Sequence, residues 1–122
     1  MNLWIIASGL LAALCTAGHA VAGHKMYFRS IQLRLTDPTQ SSVFSGMWHL
    51  ITLHFAFSSL ILLLYGAQGR PEMVVYLVAA QFGGYAVIYL ILSLRLGGVG
   101  KLFQWMPFAG VGLLAVIGGM SS

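Results

Sequence analysis

The chain has 122 residues, of which 59% are hydrophobic and only 7% charged, with a formal net charge of +4. A mean hydropathy of +0.90 sets it apart from soluble domains, in which roughly a quarter of residues carry charge. A soluble enzyme is excluded on those grounds, and six scattered Lys and Arg are too few to make a nucleic-acid-binding surface.

The first element is an apolar stretch, Leu3–Gly23. Small residues around His19 would suit a cleavage point, but Met1-Asn2 lacks the basic residue of a signal peptide. Leu14 also stands where a lipobox before Cys15 would need a small residue. A retained helix is therefore expected. Cys15 is the only cysteine, so there is no disulfide framework, and in an apolar stretch it reads as a small hydrophobe. The segment Lys25–Leu35 contains neither Gly nor Pro, so the helix is expected to run past the membrane surface, over about 3–35.

Asp37-Pro38 then supplies an N-cap and a proline at the first helical position, predicting helix 2 over about 38–66. Gly69-Arg70-Pro71 breaks the chain before helix 3, about 72–94, and Gly97-Gly98-Val99-Gly100 breaks it before helix 4, about 102–120. The apolar part of each segment is near the roughly 20 residues that cross a bilayer core. The expected fold is all-α: one domain, 1–122, forming an integral membrane four-helix bundle with antiparallel up-down topology. The first connection carries Lys25, Arg29 and Arg34, the third carries Arg95 and Lys101, and the second only Arg70. The positive-inside rule makes the first and third cytoplasmic and puts both termini outside.

Ionisable residues within membrane helices are where function is sought first, because burying them without a partner is costly. Here they are His19 and His24 on helix 1 and His49 and His54 on helix 2. A tight turn at Thr36-Asp37 pairs residues whose numbers sum to about 73. That brings His24 level with His49, His19 with His54 and Met26 with Met47. Imidazole with thioether suits copper, and imidazole alone also suits zinc or iron. Helices about 8–10 Å apart accommodate an ion more easily than a haem b, which needs more widely separated helices or two protomers. Met26 and Met47 are the weaker ligands, being two residues from a histidine and so nearly on the opposite face. His19 and His24 are five apart, about 140° around an α-helix, so a π-bulge is needed to turn both one way. Gln81, Tyr85 and Tyr89 form an i, i+4, i+8 stripe on helix 3 that would support the histidines by hydrogen bonds. The structural alternative makes the histidines and this stripe ordinary interhelix hydrogen-bonding groups.

No nucleophile with base and orienter is present, nor a phosphate-binding loop, so no catalytic residue is assigned. Small multidrug exporters share the size but have a helix-1 glutamate that is missing here. Three functions remain. One is a membrane protein holding a transition metal or haem at its histidines, for metal handling or electron transfer. Another is a non-catalytic accessory bundle that contacts the lipid bilayer and packs as a homo-oligomer or in a larger membrane complex. A proton or ion path along the histidines is a third. The glycine- and histidine-bearing first helix and the Trp48-His49 pair resemble small four-helix bacterial inner-membrane proteins without assigned function. The likeness covers the first hairpin and implies a bacterial inner membrane, with no implication for chemistry.

Overall fold

The computed structural model describes residues 1–121 and is all-helical. Helix α1 spans Leu3–Gln32, α2 Pro38–Gln68, α3 Met73–Arg95 and α4 Trp105–Met120. They run up, down, up, down as an antiparallel bundle. The first, second and third are long and apolar enough to cross a membrane, whereas α4 is a shorter apolar helix.

Local chemistry sets the boundaries. Asn2 caps α1 by accepting from the Ile5 N–H. Asp37 caps α2, its Oδ1 accepting from the amides of Thr39 at 2.7 Å and Gln40 at 2.9 Å. Pro38 then needs no donor of its own. Gly69 ends α2 in the left-handed conformation, φ +69°, where an L side chain would be strained. Helix α1 stops at Gln32, short of Leu35, and Leu33–Arg34 form the turn. Helix α4 starts at Trp105 because Leu102–Gln104 belong to the connection. There the buried hydroxyl of Ser93 donates to the Gly98 carbonyl at 2.6 Å and accepts from the Leu102 amide at 2.9 Å.

Helix α1 packs between α2 and α4, and α4 packs on α3. Ile5, Leu62, Val75, Phe82 and Val111 are fully buried between them. Glycines at the helix contacts serve this packing. A Cβ on Gly112 would sit 3.0 Å from the Ala79 carbonyl oxygen, and one on Gly9 would sit 2.8 Å from Leu63 Cγ. Close approach matters because lipid gives apolar helix faces little net drive to associate, leaving van der Waals fit and polar links to hold them. The links are Ser8 Oγ to the Val111 carbonyl at 2.7 Å, Ser59 Oγ to the Gly9 carbonyl at 2.9 Å and Asn2 Nδ2 to the Gly118 carbonyl at 2.7 Å.

Two features of α1 position the site. Its residues Gly18–Phe28 are π-helical, within an otherwise α-helical rod. Also, the four helices end at different levels. Ile5 packs at Gly118, Ser8 bonds Val111, and Tyr85 stacks edge-on with Phe108. Continued along the bundle, that register sets Arg95, the end of α3, level with about His24. Beyond it α1 and α2 run on alone as a two-helix hairpin, and none of the residues from Gly18 to Gln32 is buried. All five cations of the first and third connections lie at this end, with Arg70 at the other.

Candidate histidine site

The register of the hairpin follows from its one turn. Phe28 stacks on Phe44, Gly23 faces Trp48, and the Gln32 amide donates to Ser41 Oγ. These pairs sum to 71–73, so His24 and His49 share one level and His19 and His54 another.

The π-segment decides which way the side chains point. With hydrogen bonds from i+5 to i, as from the Arg29 amide to the His24 carbonyl, residues five apart lie nearer one line than on an α-helix. His19 and Phe28 are thereby turned onto the face of α2 that carries Phe44, Trp48 and Phe55 at i, i+4 and i+11. Gly23 lets the α1 backbone come close to Trp48. A Cβ there would lie 3.2 Å and 3.3 Å from two indole carbons of Trp48.

Each histidine meets a different partner. The His19 ring stacks on the Trp48 indole with centroids 4.1 Å apart and meets Phe55 edge-on at 5.6 Å. Its Nε2 lies 3.3 Å from the Trp48 carbonyl oxygen, which also accepts from Thr52 Oγ1 at 3.1 Å. His54 reaches across to α3, where its Nε2 lies 3.0 Å from the Tyr85 hydroxyl. His24 stacks on Phe28 at 4.7 Å, and His49, which is exposed, lies 6.0 Å from the same ring. Phe28 thus stands between the two imidazoles of the outer level. Among the described residues, no three His, Cys, Asp or Glu side chains come together as a metal-binding group.

The other expected residues disperse. Met26 and Met47 are both exposed. Met47 lines an apolar groove with Ile31, Leu35, Val43 and Phe44, away from His24, which lines a different groove. Of the helix-3 stripe, Tyr85 meets His54 directly, and Gln81 is an exposed hydrogen-bonding neighbour of Tyr85. Tyr89 packs edge-on against Phe108 at 5.6 Å. The rings that hold the site together, Phe28, Phe44 and Phe55, were not among the expected residues. Their spacing relative to Trp48 was the available signal, since Phe44, Trp48 and Phe55 share one face of α2.

The arrangement can dock helices through stacked rings and neutral imidazole hydrogen bonds, and it presents two imidazoles near the rim of the four-helix section. No family model matches this chain, and neither does any curated protein or solved structure.

Proposed function

We propose that the chain is a non-catalytic accessory bundle of a bacterial inner membrane, with both termini outside, that assembles through its α1–α2 hairpin. The observation that carries this reading is the shape of that hairpin. It continues past the ends of α3 and α4 from about His24, and no residue from Gly18 to Gln32 is buried. His19 and His54 are meanwhile committed to partners inside the bundle. A rod that leaves its own bundle bare is suited to packing against another membrane protein or a second copy. A photo-crosslinking residue in place of Met47, in native membranes, tests this. The expected result is a discrete cross-linked species, absent when the probe replaces lipid-facing Leu113 on α4. The same diffuse products at both positions would overturn it.

A second reading has its own support. His24 and His49 come from two helices, share a level and flank Phe28, and the His49 imidazole is exposed. An outward imidazole in an apolar setting calls for a partner. A transition metal, copper before zinc or iron, or a haem b shared between two copies, would supply one. Elemental analysis and an absorption spectrum of protein purified without chelator test it. Metal or a Soret band at fixed ratio, lost in His24→Ala/His49→Ala, would establish this reading. The absence of both would leave the accessory bundle.

A further inference from the structure

A half-open groove of about 440 Å³ runs along the outer flank of α1, lined by His24, Lys25, Phe28, Arg29, Gln32 and Leu33. The residues form two adjacent rows at four-residue spacing. His24, Phe28 and Gln32 make one, Lys25, Arg29 and Leu33 the other. The groove begins at the level where α3 ends, so its His24 end is toward the bilayer and its Leu33 end is beyond it.

Among the described residues that line the groove there is no carboxylate. The chain has only two acidic side chains, Asp37 and Glu72. The first is occupied in capping α2 through the Thr39 and Gln40 amides. The second precedes α3 at the opposite end of the bundle. Lys25 and Arg29 thus share a groove whose lining holds no carboxylate, beside an apolar wall formed by Phe28. Gln32 closes the far side, its amide nitrogen held by Ser41. Two cations one helical turn apart fit one phosphate diester, with Arg29 offering paired donors and Lys25 a point charge. An aromatic wall leading back to the bilayer fits the part of a lipid between headgroup and chains.

We propose that this groove binds the phosphate of an anionic phospholipid, the phosphate between Lys25 and Arg29 and the acyl chains turned toward the bilayer past His24. The site fixes one lipid at the base of the hairpin and holds the exposed α1 flank at the membrane surface. Juxtamembrane basic residues attract anionic lipid generally. What distinguishes this site is that the pair acts through one groove, while Arg95 and Lys101, at the same end of the bundle, lie outside it.

The test is native mass spectrometry of the full chain in mild detergent, titrated with phosphatidylglycerol or with phosphatidylcholine. The expected result is one bound phosphatidylglycerol, preferred over phosphatidylcholine, with affinity about tenfold or more weaker in Lys25→Gln/Arg29→Gln. Arg95→Gln/Lys101→Gln should bind as the unmodified chain does. Lys25→Arg/Arg29→Lys, which keeps both charges, should retain most of the binding and reports on folding independently. Equal losses in the two neutralising doubles, or equal binding of the two lipids, would overturn the proposal. Displacement of the lipid by millimolar inorganic phosphate would instead assign the groove to a soluble anion and overturn the lipid assignment.

Discussion

The imidazole of His19 lies almost flat on the indole of Trp48, the planes 21° apart, with Nε2 3.3 Å from the carbonyl oxygen of the same residue. One tryptophan thus supplies both a stacking surface and an acceptor. The geometry fits a neutral imidazole with its proton on Nε2, a tautomer set by that acceptor. In an apolar surrounding this satisfies the ring without charge. It also occupies the nitrogen that would otherwise be free toward α2.

Replacing His19 separates the two contributions. His19→Phe keeps a stacked ring and loses the hydrogen bond, and interhelical hydrogen bonds in membranes average under about 1 kcal/mol. His19→Ala loses both and opens a gap beside Trp48 and Phe55, which is costly in a packed interface. Unfolding in mixed micelles should place His19→Phe close to the unmodified protein and His19→Ala clearly below it. Equal large losses would mean that the nitrogen, and not the ring, matters at this position.

Gly23 gives a second steric test. Its missing Cβ makes room for the Trp48 indole, so Gly23→Leu must push the indole away or straighten the π-segment. Overpacking of this kind costs about 1–3 kcal/mol. Gly84, on α3, has nothing within 4 Å of a Cβ position, and Gly84→Leu should be close to neutral. With Trp4 and Trp105 changed to Phe, the fluorescence of Trp48 should shift in Gly23→Leu and not in Gly84→Leu. An unshifted spectrum in Gly23→Leu would show that the indole does not rest on the α1 backbone.

The fold was legible because its signals are local and strong. Long apolar segments, the Asp37-Pro38 start and the glycine-rich break after Arg95 give four antiparallel helices and the hairpin register directly. The details of the site were less legible. Residue spacing shows that His19 and His24 diverge on an α-helix and that only a π-bulge turns both one way. An eleven-residue π-segment, however, packs on Trp48 through His19 and Gly23, a tertiary fit that no local propensity encodes. The levels of the helix ends were hidden for a similar reason. Leu102–Gln104 form a strut and not a helix, and the Leu102 amide is bonded to Ser93, nine residues earlier. His54 and Tyr85 each stood out as polar groups, and their contact follows from the way α2 and α3 approach around Phe55 and Phe82.

Ser93 tests that strut. Its hydroxyl is buried and bridges the Gly98 carbonyl and the Leu102 amide. Ser93→Ala leaves the part-buried Leu102 amide without this acceptor, while the Gly98 carbonyl keeps its bond from the Lys101 amide. An orphaned group costs about 1–3 kcal/mol. The expected result is a stability loss in that range, together with faster amide exchange at Leu102. Ser93→Thr, which keeps the hydroxyl, should protect that amide better than Ser93→Ala does. Unchanged exchange in Ser93→Ala would show that the connection is held by other means.

Orientation is the last expectation, and it rests on charge at the two ends of the bundle. Lys25, Arg29, Arg34, Arg95 and Lys101 lie at one end and Arg70 at the other. Cations near helix ends resist transfer across the membrane, so the richer end should stay cytoplasmic. The up-down fold then carries both termini outside, because Asn2 and Gly118 are bonded to each other at the opposite end. A periplasm-active reporter fused to the C-terminus should be active, and a cytoplasm-active one silent. Lys25→Gln/Arg29→Gln/Arg34→Gln reduces the bias to Arg95 and Lys101 against Arg70. A bias that small no longer fixes orientation, so both reporters should then show activity in part of the population. If the unmodified chain already gives a cytoplasmic or mixed C-terminus, the charge argument fails, and the hairpin with its basic groove belongs on the outer face.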